Sequence, residues 1–241
     1  MGFLTPPPLE RDHEAVELMD GPASFEEIEG CFDAITRLNR FFGGSSLTVR
    51  HVRDILAGLP AERPVTVLDV GAGAADIPIA LVRWARSAGR RIRVLALDRD
   101  GGAIRYARAR VAGYPEITLL RGDALALPVG LGLVDVVISA LTLHHLDPGQ
   151  AARYLVEIDG AARLGWVVND LVRGRVAHRL VWLLTRILTR SRMARHDGPI
   201  SVRRSYTPPE VAALCEKAGF FDVRVVHHAP FIRQCAVKVK R

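Results

Sequence analysis

One segment constrains the fold more than any other, and it reads Val67-Leu-Asp-Val-Gly-Ala-Gly-Ala-Ala-Asp76. A short apolar run turns at once into a glycine-rich stretch, after which apolar residues recur at helical spacing. Because Gly71 and Gly73 carry no side chain, the main chain can turn tightly there and approach a ligand closely. We therefore predict a buried strand over residues 65–70, a loop at its carboxyl end, and a helix over residues 76–87.

Strand and helix patterns continue to alternate to the end of the chain. This alternation predicts an α/β fold with a doubly wound, mostly parallel sheet and right-handed crossovers. Two final apolar runs, joined by a turn near Pro230, predict a terminal antiparallel hairpin. The further strands are expected at residues 91–97, 117–120, 134–139, 166–169, 223–228 and 235–239, and the further helices at residues 101–111, 147–162 and 208–218.

Two stretches lie outside this alternating core, and we expect both to be helical. Residues 1–63 predict an N-terminal helical cap, with helices over 25–38 and 47–59, and residues 64–241 predict the α/β domain. The second stretch is an insertion over residues 171–207, whose first helix is apolar on more than one face. That helix suits a lid over a ligand pocket or a dimer interface, and the sequence leaves both open.

Composition narrows the function classes. The chain has 241 residues and a formal net charge of +7, which a nucleic-acid surface could use. However, almost all of this positive charge is arginine, scattered along the chain rather than clustered, so we expect no nucleic-acid partner. No apolar run approaches the roughly 20 residues that cross a bilayer. We expect a cytoplasmic protein that is a monomer or a homodimer.

The cysteines argue against a metal or disulfide framework. Cys31, Cys215 and Cys235 have neither the spacing of metal ligands nor an even number. We expect three buried thiols in a reducing cytoplasm, and no metal.

Acidic residues around the glycine loop indicate the kind of ligand. A dinucleotide fingerprint carries a third glycine where this chain has Asp76, and a carboxylate there would repel a pyrophosphate. Asp69 adds a second negative charge before the turn, so a cationic ligand without phosphate fits better than NAD. Asp98 ends the second strand, where a carboxylate can bind both hydroxyls of a ribose. Asp123 follows the third strand and could accept a hydrogen bond from an adenine amino group.

The motifs DVGAGAAD, LALDRD, GDALALP and VDVVISALTLHHL, in this order, resemble those of class I S-adenosylmethionine-dependent methyltransferases, whose fold is Rossmann-like. The resemblance covers residues 64–241 and departs from the usual pattern at Ala75, where many members carry glycine. It implies that Asp69, Gly71 and Gly73 hold the methionine part of S-adenosylmethionine. The other implied cofactor contacts are Asp76, Asp98, Arg99, Asp123, Ala124 and Ser139. A narrower resemblance is to bacterial small-molecule methyltransferases of the ubiquinone-biosynthesis type, some of them associated with type III polyketide synthases.

A pair of histidines follows the fourth strand, where the acceptor should face the methyl group. Histidine is the usual base at neutral pH, and we favour His144 over His145 for that role because adjacent residues point in different directions. Asp170, at the end of the fifth strand, could orient the histidine or bind the acceptor. The alternative is that both histidines are structural. We expect Asp147 to cap a helix rather than to join the histidines in a metal site.

Polar residues at the end of the insertion form a second candidate group. His196, Arg203 and Tyr206 could bind an acidic or phenolic substrate, or they could belong to an ordered polar loop.

The fourth motif also bears on the acceptor. It lacks the (D/N)-P-P-(Y/F) sequence common in enzymes that methylate amino groups of bases, since the chain has Ser-Ala-Leu-Thr at residues 139–142. We therefore expect O-methylation of a small phenolic or polyketide-like acceptor. The close alternative is C-methylation of a quinone or polyketide precursor. Alternatives from other classes are an RNA methyltransferase and a cofactor-binding protein without catalysis.

Overall fold

The computed structural model describes residues 9–127, 130, 132–229 and 232–240. A seven-stranded sheet runs through the molecule with strand order β3-β2-β1-β4-β5-β7-β6. The first five strands are parallel, and β7 pairs antiparallel with both β5 and β6. The strands are β1 (Val65–Val70), β2 (Ile92–Asp98), β3 (Ile117–Arg121), β4 (Val134–Ala140), β5 (Ala162–Leu171), β6 (Arg224–His228) and β7 (Arg233–Val239). The predicted fold class, with its terminal hairpin, is confirmed.

Helices cover both faces of the sheet. They are α1 (Phe25–Phe41), α2 (Gly44–Ile55), α3 (Asp76–Ser87), α4 (Gly101–Arg110), α5 (Pro148–Ala161), α6 (Arg175–Leu188), α7 (Arg192–Arg204) and α8 (Pro208–Lys217). Asp147 caps α5 as predicted, because its Oδ1 accepts the backbone N–H groups of Gly149 and Gln150, each at 2.8 Å.

Some element bounds differ from the prediction. Strand β5 begins at Ala162 rather than at residue 166, and its extra residues pair with β4 and β7. Helix α2 begins at Gly44 because Gly43 takes a left-handed conformation at φ 71° and breaks the chain direction after α1. The predicted turn at Pro230 lies outside the described residues.

The two helices of the N-terminal stretch pack on different parts of the molecule. Leu47, Val52 and Ile55 of α2 share a buried apolar cluster with residues of β1. Helix α1 instead packs against α7, with Cys31 buried in that contact. The division into domains at residue 63 stays a prediction, and this packing ties α2 to the core of the sheet.

The insertion consists of α6 and α7, which pack on each other, and α7 also packs on α1. Val181 on the inner side of α6 is buried, whereas Trp182 and Leu183 are 45% and 47% exposed. The three cysteines are free and buried, as predicted.

Candidate active site

A cavity of ≈ 540 Å³ opens at the carboxyl edge of β1, β2 and β4, and α1, α6 and α7 cover it. This is the volume of a typical small-molecule site. Most of the predicted cofactor residues line it, namely Asp69, Gly71, Gly73, Asp76, Asp98, Arg99, Asp123 and Ala124. Both candidate histidines line it as well.

The backbone conformation and close packing of the glycine loop require glycine at residues 71 and 73. Gly71 and Gly73 both have positive φ, at 75° and 48°. A Cβ on Gly71 would lie 2.3 Å from Thr142 Oγ1, and one on Gly73 would lie 3.0 Å from Phe32 Cε1. Ala75 also lies in the left-handed region, at φ 55°, so the position where the chain departs from the common motif carries backbone strain.

Asp69 is the most deeply placed acid of the site. It is 1% exposed, and its Oδ1 has no hydrogen-bond partner among the described residues. Burial raises its pKa well above the ordinary value, and the nearby Asp76 and Asp98 add to the shift. Asp76 accepts hydrogen bonds from Asn39 Nδ2 at 3.2 Å and Ser45 Oγ at 3.0 Å, so the N-terminal helices fix its carboxylate. The site is poised to receive a cation.

The remaining cofactor candidates lie along the cavity in chain order. Asp98 Oδ2 accepts the backbone N–H of Gly73 at 2.8 Å, and burial raises the pKa of Asp98. Asp123 is exposed at the rim of the cavity. Arg99 lies 3.3 Å from Asp20. Ser139 is fully buried in β4 and is not brought to the cavity lining.

His144 is held by a buried carboxylate. Its Nδ1 lies 2.8 Å from Asp170 Oδ1, and its backbone N–H donates to Asp170 Oδ2 at 2.9 Å. Burial acts to raise the pKa of Asp170, but the His144 ring and the backbone donors outweigh it, so this pKa is lowered. An ionised Asp170 favours the tautomer of His144 that carries a proton on Nδ1. Nε2 lies 3.6 Å from Glu17 Oε1.

Glu17 was not anticipated from the sequence. It is 4% exposed, lines the cavity, and accepts the hydroxyl of Ser201 at 3.0 Å. Burial raises the pKa of Glu17 to about 7, against opposing effects of His145 and Arg204. The carboxyl group is therefore a proton donor and acceptor near neutral pH, directly beside His144. No motif surrounds Glu17 in the sequence, and only the packing of the N-terminal segment brings it here.

His145 lies on the outer side of the pair. Its Nδ1 is 3.4 Å from Asp20 Oδ2, and its ring stacks obliquely on that of His144 with centroids 4.3 Å apart. The contact with His145 lowers the pKa of Asp20 to about 2, with Arg204 adding to the effect. The ring of His145 is therefore paired with the N-terminal segment through Asp20.

The structure does not bring the predicted substrate group His196, Arg203 and Tyr206 to the cavity lining. His196 is half-exposed and pairs with Asp197 at 2.8 Å, and Arg203 pairs with Asp12 at 2.5 Å. The hydroxyl of Tyr206 donates to the carbonyl of Leu146 at 2.7 Å. Arg203 therefore contacts the N-terminal segment and Tyr206 the loop after β4, whereas His196 pairs within α7.

Two groups of donor atoms in the described part of the chain are close enough to hold a cation. One consists of Glu17, His144 and His145, and the other of His51, His228 and Cys235, with ligand atoms within 4.8 Å of one another in each group. The expectation that no metal is required stays a prediction.

Comparison with known proteins decides the family. The family model described as "Methyltransferase domain" matches residues 67–165. The 2-phytyl-1,4-naphtoquinone methyltransferase of Thermosynechococcus vestitus is 31% identical over 230 residues, which cover 87% of this chain and 93% of that protein. The chain belongs to the class I S-adenosylmethionine-dependent methyltransferases. It is therefore a transferase whose cofactor is S-adenosylmethionine.

Solved methyltransferases share the fold. A methyltransferase from Aquifex aeolicus, described as dependent on S-adenosylmethionine, superimposes with a TM-score of 0.55 at 19% identity, covering 83% of this chain and 95% of that one. Human N-acetylserotonin methyltransferase, solved with S-adenosylmethionine, gives 0.63 at 19% identity over 90% of this chain and 56% of that one.

The cavity of this methyltransferase fits its cofactor. The orphaned Oδ1 of Asp69 suits the ammonium group of the methionine part, and Gly71 and Gly73 leave room for the cofactor against the main chain. Asp98 suits the ribose hydroxyls.

None of the helices in the described part of the chain could span a membrane.

Proposed function

We propose that this methyltransferase methylates a hydroxyl oxygen of a small phenolic or polyketide-like acceptor. The observation that carries the proposal is the buried dyad of His144 and Asp170 at the wall of the cavity. A phenolic oxygen becomes a much stronger nucleophile when its proton is removed, and a neutral imidazole held in one tautomer is suited to that task.

The dyad supports a base at Nε2. Asp170 fixes the ring through two hydrogen bonds, one from Nδ1 and one from the backbone N–H of the same histidine. Nε2 is then free to take a proton from the acceptor hydroxyl, and the adjacent Glu17 carboxylate, 3.6 Å away, stabilises the resulting imidazolium. The proton has an onward path because the pKa of Glu17 is raised to about 7 by its burial.

The rest of the reaction is a matter of orientation. When bound, S-adenosylmethionine supplies an electrophilic methyl group on a sulfonium. Holding the acceptor oxygen about 3–3.5 Å from the methyl carbon and in line supplies much of the rate. The bond from oxygen to carbon forms as the bond from sulfur to carbon breaks, and the acceptor proton goes to His144. Residues of α6 and α7 line the cavity.

The lining of the cavity supports a partly apolar acceptor. Beside polar residues such as Asn39 and Arg233, one part of it is apolar, with the side chains of Ile35, Leu38, Leu141, Leu171, Val181 and Ile232. A ring or an alkyl chain would be desolvated there, whereas an amino acid or a sugar would leave polar groups unpaired.

C-methylation of a quinone precursor is the second candidate. The relative from Thermosynechococcus vestitus is named for a naphthoquinone, and it matches this chain over almost its whole length. The same base could act in that reaction, because removing a phenolic proton also activates the ring carbon beside it.

The experiment is a transfer assay with the purified protein, S-adenosylmethionine and alkylated phenols, resorcinols and hydroquinones. Mass spectrometry of the product would detect one added methyl group, and NMR would distinguish oxygen from carbon as its site. Transfer to oxygen supports the first proposal, and transfer to carbon supports the second. If the protein binds the cofactor but transfers methyl to none of these acceptors, both are wrong.

A further inference from the structure

Arg233 is a buried arginine with unused hydrogen-bond donors. It begins β7, is 2% exposed and lines the cavity. Its Nη2 donates to Asn39 Oδ1, but Nε and Nη1 have no hydrogen-bond partner in the described part of the chain. A guanidinium is not deprotonated in proteins, so Arg233 remains a buried charge with unpaired donors. Buried charges in proteins are normally paired and fully hydrogen-bonded.

A second buried arginine in the same chain shows what a structural arginine looks like here. Arg173 is 6% exposed, and each of its three nitrogens has a partner. Nε donates to the carbonyl of Leu9 at 2.6 Å, Nη1 to that of Ser205 at 2.7 Å, and Nη2 to Glu210 Oε1 at 2.6 Å. The contrast indicates that the free donors of Arg233 serve something other than the fold.

Among the described residues, no carboxylate accepts a hydrogen bond from Nε or Nη1 of Arg233. Among the described residues, none forms an ion pair with it within 4.0 Å. Asp170 and Asp76 lie close enough to favour its charge, although burial acts first and lowers its pKa. Both carboxylates already accept hydrogen bonds, Asp170 from His144 and Asp76 from Asn39 and Ser45. The cationic group therefore belongs to the cavity wall, with its Nε and Nη1 buried and unpaired among the described residues.

The strand that carries Arg233 lies on the side of the sheet away from the cofactor loops, although its guanidinium shares Asn39 with Asp76. Strand β7 is three places from β1 in the strand order, so at about 4.8 Å per strand the two lie about 14 Å apart. The cofactor loops follow β1, β2 and β3, on the other side of β4. The Cα partner of Arg233 in β5 is Leu171, and its other lining neighbours include the apolar Ile232.

We infer that Arg233 binds an anionic oxygen of the acceptor, a carboxylate or an ionised phenol, and thereby selects acidic aromatic or polyketide-like acceptors over neutral ones. The inference rests on the proposed function, because it concerns the acceptor of the same site. Three N–H groups, one on Nε and two on Nη1, lack a partner in the described residues and would donate to the anion. In a water-excluded pocket, hydrogen bonds of this charge-assisted kind are strong.

Calorimetric titration with two matched probes tests the inference. The probes are 6-pentylsalicylate and 3-pentylphenol, which share the ring, the hydroxyl and the alkyl chain and differ in the carboxylate. Each is titrated into protein saturated with S-adenosylhomocysteine. We expect the wild-type protein to bind the salicylate at least tenfold more tightly than the phenol. Arg233→Met, of similar length and without charge, should abolish this preference, and Arg233→Lys should retain part of it.

Controls separate this outcome from misfolding and from a role toward the cofactor. Arg179→Met removes the same charge from an exposed position on α6 and should leave the preference unchanged. Melting temperatures would show whether each variant is folded, and Arg233→Met should fold because it removes unpaired donors. Binding of S-adenosylhomocysteine and of methylthioadenosine, which lacks the amino-acid part, is measured for each variant.

The inference is overturned if the wild-type protein shows no preference for the salicylate, or if Arg233→Met keeps it. It is also overturned if Arg233→Met weakens S-adenosylhomocysteine but not methylthioadenosine, since the arginine would then bind the cofactor's carboxylate. Binding of the probes requires no methyl transfer. A protein that prefers the anionic probe but transfers methyl to no hydroxyl or ring carbon would therefore contradict the proposed function while leaving this inference standing.

Discussion

Asp170 holds His144 at two points, with its Oδ1 2.8 Å from the ring Nδ1 and its Oδ2 2.9 Å from the backbone N–H. Because both groups are buried, this contact fixes the tautomer and the direction of the imidazole together. Strand β5 supplies the carboxylate and the loop after β4 supplies the ring, so adjacent parallel strands build the dyad at their carboxyl ends. We therefore expect substitutions of His144 and of Asp170 to lower the rate of methyl transfer.

Replacing His144 by alanine should lower kcat by about 10²–10⁴-fold, the usual contribution of a general base. Asp170→Asn should lower it by a comparable factor, because an amide cannot hold the ring as a carboxylate does. His145→Ala should lower it less than about tenfold, since that ring is paired with Asp20. Steady-state kinetics and titration with S-adenosylmethionine check this, and the dissociation constant of the cofactor should stay within about threefold. Full turnover in both His144→Ala and Asp170→Asn would sink the assignment of the base.

Asp98 should control cofactor affinity. Two charge-assisted hydrogen bonds to a ribose, at about 1.5–3 kcal/mol each, make Asp98→Ala weaken S-adenosylhomocysteine by about 10²-fold or more. Calorimetry measures this, with Asp222→Ala as the control because that carboxylate is exposed on the far edge of the sheet. NAD should not bind to the wild-type protein. An unchanged affinity in Asp98→Ala would mean that the cofactor lies elsewhere in the cavity.

Ala75 should tolerate replacement by glycine. Its φ of 55° is unfavourable for a residue with a Cβ by about 1–2 kcal/mol, and glycine would relieve that strain. The gain is offset by the greater freedom of glycine in the unfolded chain and by the loss of the buried methyl of Ala75, at about 0.8 kcal/mol. We therefore expect Ala75→Gly to change the free energy of unfolding by less than about 0.5 kcal/mol in urea denaturation. Gly71→Ala is the opposing control, because its Cβ would meet Thr142 at 2.3 Å and must destabilise. A loss of more than about 1 kcal/mol in Ala75→Gly would show that the loop is not strained there.

The parts of the site that the sequence predicted are those built from local patterns. A strand, two glycines and a helix start set the loop from Asp69 to Asp76 within ten residues, and Asp98 and Asp123 could be placed because each ends a strand. Asp170 was found by the same reasoning. The fold was predictable for a related reason, since the spacing of apolar residues distinguishes strands from helices segment by segment.

The parts that the sequence did not reveal depend on contacts between distant segments. Glu17 reaches His144 only because the N-terminal segment lies across α7. Arg233 is an ordinary strand residue in the sequence, and only the structure shows that its Nε and Nη1 lack hydrogen-bond partners among the described residues. For His196 and Tyr206 the sequence left a substrate site and an ordered polar loop open, and the structure pairs them with Asp197 and with the carbonyl of Leu146. A polar loop that fastens another segment has the same composition as one that binds a substrate, and only the packing distinguishes the two.

Glu17 should make stability depend on pH in a direction unusual for a carboxylate. Its pKa is raised by burial to about 7 from an ordinary 4.5, so the folded state holds a proton that the unfolded chain releases. The stabilisation is fully present below about pH 4.5 and is lost as the pH rises through 7. At about 1.4 kcal/mol per unit of pKa, the loss is about 3 kcal/mol. Glu17→Gln, which keeps an acceptor for Ser201, should remove it.

The measurement is urea denaturation of wild type and Glu17→Gln at pH 5 and pH 8. The free energy of unfolding of the variant, relative to wild type, should rise between the two values, because only wild type must bury a charged carboxylate at pH 8. Titrating groups that do not interact with Glu17 are common to both proteins and cancel in the difference. Glu14→Gln, at an exposed position in the same segment, should show no such rise. If Glu17→Gln also shows none, Glu17 titrates normally, and the onward proton path from His144 through its carboxyl group has no support.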